Sequence, residues 1–494
     1  MGFASLLLAP ELPAQPDTPG VIVARPEGDH VTGYFDLVAG TQRLAATLVE
    51  AGVAPRTAVA CLLPPSAGVV AAFFGTWAAG GVYVPVNPRL SDTEIAHQLA
   101  EVNPAAVIGR PEQLDRVAAP TTRIVAASDL NWSVAERRAT AVSPYQPGVA
   151  TVSFTSGTTG RPKPVELHED AVLRLMDTII ATARRDRPIT HRPETPHVIP
   201  VSTSLWAGIY NVVFAVRTAS PVLLMPSFNA LEYARVVSHY GVASTVLPPA
   251  AIAMLNDEPG IHSLDPLRIV RSITAPLSPR QARRFHQRFG VMVLNGYGQT
   301  ELGGEIVGWT ARDFREHPEK LGAVGRPYRG VELRLGKQGD LWARTAYTAG
   351  LDPNGRFGDR LDDGFLRTGD IARLDEDGFL WIEGRESDMI NRGGLKVFPA
   401  EVEEVLLLSE SVADTAVVGV PDPRLGETPW AFVVPATTSS PLARDDLEQL
   451  CRQHLAPYKV PVAFEILGTL PRNEIGKVLR QTLVDQVVSA KQPN

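Results

Sequence analysis

The chain has 494 residues, too many for a single compact core, so two or more domains are expected. With 44% apolar and 20% charged residues it has the balance of a globular protein, and a net charge of -7 gives no reason to expect a nucleic-acid partner or an anionic membrane. Two cysteines, Cys61 and Cys451, exclude a disulfide framework and a cysteine-rich metal site.

The early Leu6-Leu7-Leu8 run lacks a basic flank, and no stretch of roughly 18 apolar residues follows. A cytoplasmic location without a membrane partner is expected. From residue 34 to residue 110 helix and strand patterns alternate. Residues 37–52 carry apolar positions at helical spacing and stop on glycine, and residues 58–63 read as a buried strand. Residues 66–80 are Ala-rich and nearly all apolar, which predicts a buried helix; residues 82–86 predict the next strand. Ser91-Asp92-Thr93-Glu94 has the spacing of a capped helix start, and the Pro- and Ala-rich segment 118–147 reads as a connector.

That connector leads to Ala150-Thr151-Val152-Ser153-Phe154, a strand that runs into Thr155-Ser156-Gly157-Thr158-Thr159-Gly160-Arg161-Pro162-Lys163. A loop of this kind can wrap a polyphosphate. Glycines let backbone N–H groups approach phosphate oxygens, hydroxyls donate further bonds, and lysine supplies a point charge. The spacing is not that of a Walker loop, because Lys163 comes three residues after the second glycine and no Ser or Thr follows it. In isolation the same string reads as a polar turn.

Residues 169–185 read as a helix, residues 198–208 open another strand-and-helix unit, and residues 221–226, 244–247 and 267–273 read as strands, with a helix over 231–240. This alternation predicts parallel sheets faced by helices. From residue 331 short alternating segments around 332–335, 339–343 and 378–382 predict a small β-rich unit. Beyond Gly384-Arg385 mixed structure returns, with helices over 400–408 and 443–455 and strands over 414–420 and 429–435. The expected fold class is α/β: a large N-terminal domain of several subdomains, residues 1–385, and a small mobile α+β C-terminal domain, residues 386–494.

Four further clusters carry chemistry. In Leu294-Asn295-Gly296-Tyr297-Gly298-Gln299-Thr300-Glu301 an aromatic ring between glycines can lie against a purine, Thr300 can reach a phosphate, and Glu301 can hold Mg²⁺. In Arg367-Thr368-Gly369-Asp370 a loop aspartate can accept both hydroxyls of a ribose. The segment 384–397, dense in charge and glycine, suits a hinge. Near the C-terminus, Asn473-Glu474-Ile475-Gly476-Lys477 puts a lysine on a glycine-marked loop.

Together, in this order and at these separations, the five clusters resemble the adenylate-forming superfamily of acyl- and aryl-CoA ligases, peptide-synthetase adenylation domains and beetle luciferases. The resemblance runs from Gly80-Gly81-Val82-Tyr83-Val84-Pro85-Val86-Asn87-Pro88 to Arg480, and its pattern looks most like the stand-alone acyl- or aryl-CoA ligases. It implies that an acid's carboxylate attacks the α-phosphate of ATP, pyrophosphate leaves, and a thiol then attacks the acyl-adenylate. Such an acid, with a pKa of about 4, is already ionised at neutral pH, so positioning and charge neutralisation carry the first step. The resemblance further implies that Thr155, Ser156, Gly157, Thr158, Thr159, Gly160 and Lys163 hold the pyrophosphate end. Tyr297, flanked by Asn295 and Gly296, would hold adenine, Asp370 the ribose, and Thr300 and Glu301 the α-phosphate and Mg²⁺. Arg385 would face the nucleotide, and Lys477 would contact the transferring oxygens. Lys477, Glu301 and Thr155 are thus the expected catalytic residues. Ser387 beside Asp388 stands where the last domain of relatives bends, so that rotation would withdraw Lys477 and bring Gly393-Gly394 to a thiol channel.

The departures cluster on the substrate side. Pro164 stands where a glycine usually follows the loop lysine, Ile273-Thr274-Ala275-Pro276-Leu277 replaces a Gly-Gly start, and Ser202-Thr203 replaces an aromatic-His pair. The acid pocket is expected near Thr203, Trp206, Ile273, Thr274, Asn295, Gly298 and Leu302, and its bulk favours a short or planar acid. No aspartate lies in residues 201–206 for an α-ammonium group, which disfavours an amino acid. The expectation is a carboxylic acid:CoA ligase using ATP, Mg²⁺ and CoA. Three alternatives stay open: transfer to an amine or carrier protein, activation of nitrite for diazotisation, and a non-catalytic nucleotide-binding relative. The oligomeric state is open too, with a homodimer among the outcomes.

Overall fold

The helix Ala67–Ala78 is buried from end to end of its first eleven residues, as its apolar composition requires. Ser66 opens it by accepting the Val69 N–H at 3.3 Å. A Cβ at Gly75 would stand 2.9 Å from Leu44, so the glycine lets the helix Tyr34–Glu50 pack closely across it. At its far end Trp77 donates its indole N–H to the Ala150 carbonyl at 2.8 Å. A buried indole without that acceptor would cost about 1–3 kcal/mol. The bond therefore ties the helix to the strand Val149–Thr155, whose last residue opens the glycine-rich loop.

This computed structural model describes residues 2–138, 142–155, 162–348, 358–436, 443–472 and 478–491. A seven-stranded sheet holds Val149–Thr155 beside Val82–Pro85, with Ala58–Cys61, Ala106–Gly109 and Thr122–Ser128 following in parallel. Each edge is antiparallel: Asn131–Glu136 on one side and Lys163–His168 on the other. The expected connector 118–147 thus supplies two strands. Alternate residues of Thr122–Ser128 are buried, the period of a half-covered strand, which the flanking Pro and Ala residues mask in the sequence. Pro164 pairs with Phe154 on the edge strand, where a missing N–H leaves no third strand unbonded.

A second sheet contains Ser244–Leu247, Ile269–Ser272 and Met292–Gln299 in parallel, then Gly304–Gly308 and Arg326–Pro327 antiparallel. A four-stranded sheet containing Pro19–Val23 and Val222–Leu224 packs beside it. The β-rich unit is present as five strands centred on Phe365–Leu374, which pairs with both Asp340–Arg344 and Leu380–Arg385. The fold is α/β with a large N-terminal portion and a small C-terminal one, in which a mixed sheet around Gly426–Pro435 is covered by the helices Pro399–Leu406, Arg444–His454 and Arg480–Lys491. The two portions touch where Arg280 Nη1 donates to the Ser409 carbonyl (3.3 Å) and Lys396 Nζ to Gln338 Oε1 (2.6 Å).

Candidate active site

Two strands of different sheets, Val149–Thr155 and Met292–Gln299, each parallel to one neighbour, end at one cleft of ≈ 3890 Å³, the position where open α/β sheets bind ligands. Beyond Gln299 the chain makes one tight turn, Thr300–Leu302, and returns as Gly304–Gly308; the reversal needs Gly303 at φ 82. Glu301 thereby lines the cleft. Thr155 Oγ1 donates to Glu301 Oε1 at 3.4 Å, bringing the end of the first strand to the turn of the second. Thr155, Lys163, Thr300 and Glu301 line the cleft together, and Lys163 stands across the hairpin from Thr155. Ser156, Gly157, Thr158, Thr159 and Gly160 lie outside the described residues, as does Lys477.

Tyr297 and Gln299 are two apart on a strand and share a face. Both reach Asp370: Tyr297 Oη donates to its Oδ2 at 2.6 Å, and Gln299 Nε2 donates to the same oxygen at 2.7 Å. Arg385, opposite Asp370 on the neighbouring strand, places Nε 3.2 Å from Oδ1. The Asp370 N–H is held by Thr368 Oγ1 at 3.1 Å. Burial and the adjacent Asp370 charge push the Tyr297 phenol well up, so it is a neutral donor at physiological pH. Asp370 and Arg385 form a charged pair on the same cleft wall as the tyrosine. Gln299 is absent from the sequence-derived set; its period-two relation to Tyr297 is the signal that points to it.

The expected acid pocket divides in two. Trp206, Ile273, Thr274, Asn295 and Gly298 line the cleft, whereas Thr203 and Leu302 are fully covered and do not. Trp206 is fixed by its indole N–H, which donates to the Gly303 carbonyl at 3.2 Å. Thr274 sits at φ 78, a left-handed conformation foreign to a β-branched residue. Gly296 borders Glu305: a Cβ there would lie 2.4 Å from Glu305 Oε1.

Sequence reasoning missed Arg271, which lies in the strand Ile269–Ser272 and pairs with Glu305 at 2.6 Å. An arginine amid Ile269, Val270 and Ser272 in a predicted buried strand was the available signal, because a buried cation requires a partner. Burial works against the Arg271 charge, but Glu305 and Tyr328 outweigh it and hold its pKa above the ordinary arginine value.

Ser387 and Asp388 occupy a short turn, Glu386–Asp388, between Leu380–Arg385 and the C-terminal strand Ile390–Arg392. The Ser387 hydroxyl donates to Asp388 Oδ1 at 3.0 Å, and Asp388 stands 3.9 Å from Arg480, which also bonds Glu403 at 2.7 Å. Arg480 therefore links this turn to the chain just beyond residue 477.

The sequence pattern of the AMP-binding enzyme family matches residues 11–344, and that of the AMP-binding enzyme C-terminal domain matches residues 401–477. The chain belongs to the AMP-binding enzyme family. It is an ATP-dependent, AMP-forming ligase, and its relatives are named as ligases or as a CoA synthase. An indoleacetate–CoA ligase from Aromatoleum aromaticum is 32% identical, over 96% of this chain and 96% of that protein. A fatty acid–[acyl-carrier-protein] ligase, ScoC, from Streptomyces coeruleorubidus is 31% identical over the same shares, 96% and 96%. The amide bond synthetase McbA from Marinactinospora thermotolerans superimposes with a TM-score of 0.83 at 27% identity, covering 98% of this chain and 99% of that one. In this AMP-binding enzyme no helix among the described residues is long and apolar enough to cross a membrane.

Proposed function

We propose that this enzyme joins a small carboxylic acid to CoA in two steps, forming an acyl-adenylate from ATP and then a thioester. The observation that carries the reading is the meeting of Thr155 and Glu301 in the cleft that also holds the Tyr297–Asp370–Arg385 group. Asp370 offers a nearly buried carboxylate able to accept ribose hydroxyls, Tyr297 a ring face for a purine, and Lys163 and Thr155 a cation and a donor for phosphates. Among the described residues no group of three or more His, Cys, Asp and Glu could hold a metal. That suits Mg²⁺, which takes one or two carboxylates and completes its shell with water and substrate phosphates. Glu301 would be that carboxylate, and the ion would offset charge on the phosphates. Lys477 would neutralise charge on the transferring oxygens.

The two steps need two arrangements of one cleft. Residues 1–385 and 386–494 form the two domains in this reading, turning about Ser387 and Asp388. The link from Arg480 to Asp388 and Glu403 supports coupling between the turn and the lysine loop.

A second reading, transfer to an amine or a carrier protein, is favoured by the likeness to an amide bond synthetase and to an acyl-carrier-protein ligase. One experiment separates them: pyrophosphate release from a panel of short, aromatic and medium-chain acids, with and without CoA. CoA-dependent AMP release supports the first reading, AMP release indifferent to CoA supports the second, and no pyrophosphate with any acid refutes both.

A further inference from the structure

The cleft wall beside Gly296 and Gly298 carries a polar cluster that the activation step does not use. Arg271 Nη1 donates to Glu305 Oε1 and to Tyr328 Oη, both at 2.6 Å, and Tyr328 Oη donates to Glu305 Oε1 at 2.8 Å. It fits because two neighbours lack side chains. A Cβ at Gly308 would lie 2.1 Å from Tyr328 Oη, and one at Gly296 would lie 2.4 Å from Glu305 Oε1. A buried ion pair is seldom more stabilising than apolar packing of the same volume, so stability does not account for this one.

Next to the pair, Tyr210 Oη is buried and has no hydrogen-bond partner among the described residues. Burial, then the negative Glu305, raise its pKa, so it stays a neutral group able to donate and accept. Its ring meets Trp206 edge-on at 5.9 Å and lies against Gly304, where a Cβ would come within 2.9 Å of it. Tyr210, Arg271, Glu305 and Tyr328 all line the cleft that holds Thr300 and Glu301.

The register gives the reach. Glu305 pairs with Gly298, and Gly296 lies two residues further from the Thr300–Leu302 turn. At about 3.3 Å per strand residue the cluster stands roughly 7–13 Å from that turn. One aromatic ring with a substituent, its carboxylate at the turn, spans this gap, and the edge-on pair of Trp206 and Tyr210 on the cleft lining suits a planar ring.

We propose that the acid is a small aromatic one bearing a hydroxyl or amino group away from its carboxylate, and that Tyr210 and Glu305 recognise that group. Arg271 and Tyr328 are positioning residues that hold Glu305. The substituent donates to the Glu305 carboxylate and bonds the Tyr210 hydroxyl; an unsubstituted ring leaves the Tyr210 hydroxyl unmatched, which is where discrimination is greatest. This inference rests on the adenylation reading above.

The test measures kcat/KM for pyrophosphate release with matched acids: benzoate against its 3- and 4-hydroxy and amino derivatives, and cinnamate against its hydroxylated ones. In the wild type a substituted acid is expected to exceed its parent at least about 50-fold, and in Tyr210→Phe the ratio is expected to fall below about fivefold. The ratio reads recognition, which a general loss of fold would not alter, and the wild-type ratio alone decides should the variant be unstable. Parent acids turned over as well as the substituted ones overturn this inference while leaving adenylation intact, and so does a ratio unmoved by Tyr210→Phe. No AMP from any acid refutes adenylation itself, and this inference with it.

Discussion

Thr155 and Glu301, 146 residues apart in sequence, meet at 3.4 Å between hydroxyl and carboxylate. The contact joins the residue that opens the glycine-rich loop to the turn that follows Gln299. Glu301→Gln preserves the shape of the side chain and removes its charge. It is expected to lower the rate of pyrophosphate release at least about 100-fold, the scale of losing one group that stabilises developing charge, with partial recovery at raised Mg²⁺. Steady-state kinetics over a Mg²⁺ series check this. Retention of more than half the wild-type rate would remove Glu301 from the machinery.

In the proposed two-step reading Lys477 acts in the first step alone. Lys477→Ala is therefore expected to abolish adenylate formation while sparing thioester formation from a supplied acyl-adenylate. Assaying the two half-reactions separately decides the matter; equal loss in both would count against a cleft that works in two arrangements.

Thr274 holds a backbone conformation, φ 78, that disfavours a β-branched residue by about 1–3 kcal/mol. Thr274→Gly relieves that strain but adds freedom to the unfolded chain. The variant is expected to gain about 1 kcal/mol in chemical denaturation and to shift its preference among acids of different bulk, because Thr274 lines the cleft. A destabilised variant would mean that the threonine side chain contributes more than its backbone costs.

Asp375 gathers Lys320 Nζ at 2.9 Å, Trp381 Nε1 at 3.0 Å and the Phe379 N–H at 3.0 Å. Burial alone would raise its pKa, but the Trp381, Lys320 and Phe379 donors together hold the carboxyl well below the usual carboxylate range. A depressed carboxyl pKa stabilises the fold above the unfolded value of about 4, and that contribution is lost as the pH falls below it. Asp375→Asn is expected to be less stable at pH 6 by about 1–3 kcal/mol, with the gap to wild type narrowing at pH 3. Denaturant midpoints at the two pH values measure it, and a gap independent of pH would assign the loss to shape.

The alternating architecture was legible because its local signals are strong. Ser91 and Glu94 form the capping box their spacing predicts, and the nearly all-apolar helix Ala67–Ala78 is buried over its first eleven residues. The strands Thr122–Ser128 and Asn131–Glu136 were illegible because their stabilisation comes from a distant sheet edge, and only half of each is covered. At the site, the motif residues Tyr297 and Asp370 were visible as types in a spacing, but the bond between them is made by folding. Arg271 was hidden for a related reason: its partners Glu305 and Tyr328 lie 34 and 57 residues away, and nothing local announces a pair.

The strand Lys163–His168 closes one side of the seven-stranded sheet and begins with a lysine and a proline. An open sheet margin is a template on which an extended segment of another molecule can add, and cations and prolines, the latter without an N–H, are the residues that make it a poor one. Pro164 thus acts beyond its own molecule. Lys163 and Pro164 border the cleft and at the same time make this sheet margin a poor template for a second copy of the chain.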